Sequence, residues 1–252
     1  MPPLPPADDS HSITEPAGPL SAADSAPDAA LTQRVLEPEV MDTFEAASQY
    51  DQMDHAAVNA RFVDDLLAAG NVGTDVIDLG TGTALIPIEL CNRVDSVRVL
   101  AVDASVEMLD LARRRVEIAM LSDRIQLEHD DCKSLKGFQR GMFDLVISNS
   151  LFHHLPDPSL ALQAAIRVLR PGGRLFIRDL ARPATLAEVE TLVATHTAAE
   201  TAAARTLFRD SLLAALSLDE IRQLVAAHGF DRHSVTLTSD RHWTFDATLP
   251  PT

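Results

Sequence analysis

The chain has 252 residues, with 21 Lys and Arg set against 37 Asp and Glu, a formal charge of −16. That length can bury one good-sized core, while the acidic balance argues against holding nucleic acid or an anionic membrane through a general positive field. Aromatic residues at 4% leave little material for base stacking, and two cysteines, Cys91 and Cys132, exclude a disulfide scaffold or a cysteine metal cage.

Residues 1–30 hold 7 of the 15 prolines, five acids and no Lys or Arg, a composition expected to form a disordered tail. They lack the basic start and apolar run of a secretory signal and the arginines of a mitochondrial presequence, and no apolar run reaches a membrane span, so a cytoplasmic protein is expected. From Arg34 to Ala69 the spacing of Val58, Phe62, Leu66 and Leu67 predicts helix, with Asp64 and Asp65 on the outer face and Gly70 as the stop. These N-terminal helices, over 31–70, are expected to act as a lid.

Beyond Gly70, short apolar runs alternate with amphipathic stretches. Strands are expected at Asp75–Leu79, Arg98–Val102, Ile125–His129, Phe143–Ser148 and Arg174–Arg178, with helices at Ala84–Asn92, Ser105–Leu121 and Ser159–Leu169. Such alternation makes a parallel sheet covered on both faces, because parallel strands need long crossovers. Thr185–Ala215 and Leu218–His228 then read as helices, and Ser234–Thr238 with His242–Phe245 as a terminal hairpin. The expected organisation is one domain over 71–252, with a helical insertion at about 184–228 that covers its rim.

Chemistry concentrates at the strand ends. In Val76-Ile77-Asp78-Leu79-Gly80-Thr81-Gly82-Thr83-Ala84 an apolar strand runs into glycines and then a helix, permitting a tight turn and the approach of a ligand to backbone amides. Thr83 is the expected cap, which puts Pro87 in the first helical turn, where amide donors lack partners anyway. Asp103 follows the second strand, 23 residues beyond Gly80, where an acid can accept both ribose hydroxyls. Asp131 follows the third, where it can accept from an adenine amine, with the Cys132 amide beside it. Each acid taken alone reads equally as a helix cap or a solvated turn. Their shared position beyond parallel strands is what suggests a ligand site.

With those residues in place the sequence resembles the class I S-adenosylmethionine-dependent methyltransferases. The resemblance rests on Asp78 to Thr83, Val102-Asp103 with Met108-Leu109, Asp131-Cys132, Phe143-Asp144-Leu145-Val146 with Ser148-Asn149, His153-His154-Leu155, and Val168-Leu169-Arg170-Pro171-Gly172-Gly173. It covers roughly Tyr50 to Asp179 and implies an α/β fold, a three-layer, doubly wound, seven-stranded, mostly parallel Rossmann-like sheet with a reversed last strand. It also implies S-adenosylmethionine as cofactor, with Asp78, Gly80, Thr81 and Gly82 on its methionine side, Asp103 at the ribose, Asp131 and Cys132 at the adenine, and Met108 and Asn149 nearby. Tyr50 is placed to reach the methionine carboxylate. A third glycine common in the family's first loop is Ala84 here, and the branch to which the last 70 residues belong does not disclose a substrate.

A sulfonium methyl is already activated, so such an enzyme mainly aligns a nucleophile and excludes water. His153 and His154, after the fourth strand, are candidates for a base where the acceptor carries a proton, and a metal site formed with Asp157 is the weaker reading. Arg178 and Arg182, with Arg241 and His242 on the hairpin, are the expected patch for an anionic small molecule. The expected function is methyl transfer to a small-molecule oxygen, nitrogen or carbon. The alternatives are a module that binds the cofactor without turnover and a nicotinamide-dependent oxidoreductase, whose G-x-G-x-x-G motif would need glycine where Leu85 stands. Polynucleotide and membrane partners are not expected.

Overall fold

The computed structural model describes residues 30–37 and 56–251. Residues 1–29 of the expected tail, and residues 38–55 of the expected lid with Tyr50 among them, lie outside the described residues. Seven strands, β1 (Asp75–Leu79), β2 (Arg98–Asp103), β3 (Ile125–His129), β4 (Phe143–Asn149), β5 (Leu169–Leu180), β6 (Val235–Leu237) and β7 (His242–Thr248), form one sheet in the order β3-β2-β1-β4-β5-β7-β6. The first five pair in parallel, and β7 runs antiparallel to both of its neighbours. The central strands read as near-continuous apolar runs because both of their faces are covered. One face buries Ile77, Val146, Leu175 and Trp243, and the other Val76, Val99, Leu145 and Phe176.

Helix α1 (Ala56–Ala68) packs on the second face through Phe62, Val63 and Leu66, all fully buried. Phe62 meets Phe176 edge to face, with ring centroids 5.1 Å apart. Asp65, expected on the outer face, instead turns in to accept from Arg178 at 2.8 Å. The crossovers are α2 (Leu85–Arg93), α3 (Val106–Ile118) and α4 (Pro158–Val168). Ser105 and Asp157 cap α3 and α4 by accepting from Met108 and Ser159 amides.

Four expectations change. Residues 30–37 are not helical: Leu31 donates to Ala184 and Val35 to Leu213, so this segment is a strap tied to the cover by backbone bonds. The long helix expected over Thr185–Ala215 is two, α5 (Leu186–His196) and α6 (Ala202–Ala214), because Thr201 caps a new start by accepting from Ala204 and the break lets both apolar faces meet around Val189, Val193 and Leu212. Strand β5 starts at Leu169 rather than Arg174, with a shift in its register against β4 between Phe143 and Leu145. Thr83 does not cap α2. Ala84 takes that place, in the left-handed region at φ 61°, so the position the family fills with glycine keeps a glycine-like backbone at the usual non-glycine cost. Helix α7 (Leu218–Ala227) closes the cover, starting at Ser217 with a capping box.

Candidate active site

Asp78 lies near the end of β1, Asp103 ends β2, Asp130 and Asp131 follow β3, and Asn149 ends β4. Because those four strands are parallel neighbours, the five residues converge on one edge of the sheet, where they line a single cleft. The cleft is also lined by Gly80, Thr81, Gly82, Met108 and Cys132, so every cofactor-site residue expected from the sequence is there except Tyr50, which lies outside the described residues. Sequence reasoning missed Asn59 of α1, Asp130, Lys133 and Leu151. Asp130 had a signal, being doubled with Asp131; Asn59 had none beyond a polar residue in an amphipathic helix.

The expected use of loop amides is corrected by their bonding. Gly80 and Thr81 both donate to the Val102 carbonyl at 2.9 Å. Gly82 donates to Asp103 Oδ2 at 2.8 Å, while Asp103 Oδ1 accepts from the Ser105 amide at 2.9 Å. Three amides that a phosphate would need are therefore spent inside the protein, one of them on a carboxylate. The glycines serve geometry: Gly80 has φ +69°, and a Cβ there would stand 3.1 Å from Leu151 Cβ and 2.7 Å from its Cδ1, whereas the space beside Gly82 is open. Gly80→Ala should lower stability by about 1–2 kcal/mol from the backbone alone, read as a lower urea midpoint, and should narrow the cleft; unchanged stability would show that the loop relaxes freely.

The electrostatics favour a cation. Asp78 is buried, and burial, with Asp103 nearby, pushes its carboxyl up to about 7 against the opposing Thr81 hydroxyl. Burial also raises Asp103, partly countered by its backbone donors. Lys133 lies 3.1 Å from Asp131 and so does not reach the deeper acids. Asn149, which lines the cleft, has its Oδ1 buried with no hydrogen-bond partner among the described residues. Cys132 is no nucleophile: burial, Asp131 and Asp103 push its thiol up to about 12.

The two histidines part company. His153 is buried away from the cleft, its Nδ1 2.6 Å from Asp179 Oδ1, while Asp179 Oδ2 accepts from the Phe152 and His153 amides at 2.5 and 3.3 Å. It is thereby corrected from base candidate to anchor of the short helical turn Phe152–His154. His154, the next residue, lines the cleft. The expected anion patch is not formed. Arg178 is buried between Asp65, Thr244 and the Phe62 and Phe176 rings; Arg182 is held by Glu220 and the Ala215 carbonyl. Arg241 bonds to His196 and Asp240, and His242 to Ser239, with burial pulling the His242 ring down to about 4. None of the four lines the cleft, since each has been recruited to pin α1, the cover or the hairpin. Among the described residues no group of three or more His, Cys, Asp or Glu could hold a metal ion.

Fold and site thus define a Rossmann-like domain with an acidic ligand cleft at the carboxyl ends of its strands. Residues 77–177 match the family described as "Methyltransferase domain", and the fold is shared with S-adenosylmethionine-dependent methyltransferases of known structure. Demethylmenaquinone methyltransferase of Porphyromonas gingivalis is 35% identical over 109 residues, 43% of this chain and 44% of its own length. A SAM-dependent methyltransferase from Aquifex aeolicus has the same fold with a TM-score of 0.58 and 16% identity, covering 82% of this chain and 98% of that one. The plantazolicin methyltransferase BamL, solved with a desmethyl analogue and SAH, aligns with a TM-score of 0.58 and 16% identity over 76% and 70% of the two chains. The match to the curated relative thus spans less than half of its length. The cofactor of this family, S-adenosylmethionine, fits the residues present: buried carboxylates for its cationic and hydroxyl groups, an orphan Asn149 acceptor and open space beside Gly82.

Proposed function

We propose that the chain transfers a methyl group from S-adenosylmethionine to a nucleophilic oxygen, nitrogen or carbon of a small molecule. The observation that carries this reading is the pairing of buried acids with loop amides turned away from the cleft. A nicotinamide dinucleotide would bring its pyrophosphate to that same loop, where it would meet Asp78 and Asp103 instead of free donors. In this reading Asp78 receives the methionine ammonium, Asp103 the ribose hydroxyls, Asp131 and Cys132 the adenine edge, with Met108 and Asn149 beside them and Tyr50 at the methionine carboxylate.

When bound, the cofactor supplies a methyl already activated by its sulfonium. The chain's own work is then positional: the acids fix the donor's orientation, Leu151 and Leu155 present apolar surface that excludes water, and His154 stands where a proton can be taken. Substrate choice falls to the cover, α5 to α7, together with the strap. No helix of the described residues is long and apolar enough to cross a membrane, and the cysteines are unpaired, which supports our reading of a cytoplasmic enzyme.

Incubation with methyl-labelled donor and a cell extract, followed by mass spectrometry, tests the activity. Label is expected in a small molecule, with none in the Asp103→Ala control. Donor that binds without passing on label would mean a module that holds the cofactor without turnover.

A further inference from the structure

The strap precedes the family-matched segment, yet it reaches the turn that carries both histidines. Arg34 donates from Nη1 to the Leu155 carbonyl at 3.1 Å and from Nη2 to the His153 carbonyl at 2.7 Å, while its Nε donates to Ala214 of the cover at 2.6 Å. Three residues on, Glu37 is half-buried with its carboxylate 3.7 Å from His154 Nδ1, a nitrogen itself buried from solvent. His154 also lies against the His153 ring, with centroids 4.0 Å apart, and its residue lines the cleft. The 3.7 Å separation is longer than a hydrogen bond but within ion-pair reach, and a carboxylate on that side favours the proton on Nδ1, which leaves the lone pair on Nε2.

We infer that Glu37 and His154 form a positioned carboxylate–imidazole pair in which His154 is the general base, and that the acceptor therefore reaches the cleft as a protonated nucleophile, a hydroxyl or an ammonium group. This rests on the proposed function and deepens it. In the step, the proton passes to His154 Nε2 and leaves its electron pair on the acceptor oxygen or nitrogen, a lone pair of that atom forms the new bond to the methyl carbon, and the carbon–sulfur pair goes to sulfur. The imidazolium so formed is stabilised across Nδ1–H by Glu37 and is deprotonated by water after release. Glu37 is a positioning residue, and Arg34 holds the turn that presents His154. Among the described residues, the other charged groups around the pair include His153, Asp179 and Asp210, with Arg34 itself; burial raises Glu37 while the Ser211 hydroxyl and His153 draw it down.

Ring ¹⁵N NMR of the full chain, with His154 assigned by a His154→Asn variant, reads the pair without any acceptor or donor present. Neutral His154 is expected as the Nδ1–H tautomer in the wild type. In Glu37→Gln it should shift toward Nε2–H with an apparent pKa lower by about 0.5–1 unit, and Glu37→Asp should restore most of the effect. Label transfer by Glu37→Gln should fall at least tenfold at neutral pH, its acid limb moving to lower pH by the same amount, with donor affinity by calorimetry within twofold of wild type. An Nε2–H tautomer in the wild type, or a His154 titration indifferent to Glu37, overturns the pair. Failure of the wild type to bind the donor overturns the functional reading instead, and appears in the calorimetry while the tautomer remains readable.

Discussion

Replacing Asp78 by Asn should make the ligand-free protein more stable and weaken its hold on S-adenosylmethionine about a hundredfold. Asp78 is fully surrounded by protein, and burial lifts its carboxyl from an ordinary value near 3.8 to about 7. The native state therefore holds a proton that the unfolded chain releases above about pH 4, and the stability of the empty protein declines between pH 4 and 7 as that advantage is lost. About three pKa units, each worth roughly 1.4 kcal/mol, put the cost of ionising Asp78 above pH 7 on the order of 4 kcal/mol, and an isosteric amide escapes much of it. A higher urea midpoint for Asp78→Asn at pH 8, with the difference vanishing near pH 4, is the expected result. The same carboxylate is the natural partner of a cation, so affinity for S-adenosylmethionine should rise up to tenfold per pH unit toward pH 7 and then level off. The variant should lose about a hundredfold in affinity and lose the pH dependence with it. A variant destabilised at pH 8, or one that binds with wild-type affinity, would remove Asp78 from the site.

The second large effect concerns Asp179, at the end of β5. Its carboxylate is fully buried and accepts from the His153 ring, from the Phe152 and His153 amides, and from the Leu180 amide at 2.6 Å. Asp179→Ala leaves these donors without an acceptor in a dry interior, and breaking a buried pair on one side costs about 3–5 kcal/mol. Asp179→Asn should cost less, since a neutral His153 can offer Nδ1 as acceptor to the new amide. The signs of the shifts bound the pH window. Burial alone would raise Asp179 and lower His153, but their mutual attraction wins in both, holding Asp179 below 3.8 and His153 above 6.5. The Asp179 contribution is present above about pH 4 and lost in acid; that of His153 is complete below about pH 6.5 and fades as pH rises through its elevated value. Denaturant midpoints of wild type and Asp179→Ala should therefore differ most between those limits, and equal midpoints there would deny the anchor.

These two acids also show what the sequence discloses and what it hides. The position of Asp78 at the cleft is legible because its neighbours are a run of strand residues and two glycines, signals carried by adjacent positions; the positions of Asp103 and Asp131, just beyond strands, are legible in the same way. The role of Asp179 was not, because its partners lie 26 and 27 positions away, on a turn whose shape depends on the finished sheet. Arg178 and Arg182 misled in the same manner. An arginine at a strand end reads as a rim residue until α1 brings Asp65 and the cover brings Glu220 within 2.8 Å and 2.7 Å. The strap misled most, since Arg34 to Glu37 prolong a helical pattern, yet the Leu31 and Val35 amides bond to Ala184 and Leu213, and Arg34 bonds to the carbonyls of the histidine turn, so the segment is not helical. Strand order and the position of the cleft follow from local periodicity. Which polar side chains are withdrawn from that rim, as Arg178 and Arg182 are, follows from long-range ion pairing, which no spacing rule encodes.

Calorimetric titration of the full chain with S-adenosylmethionine, S-adenosylhomocysteine and NAD at pH 7.5 tests the central claim most directly. Saturable one-site binding of the first two is expected, strongly weakened by Asp103→Ala, with no measurable heat from NAD. Preference for NAD, or donor binding indifferent to Asp103, would contradict it.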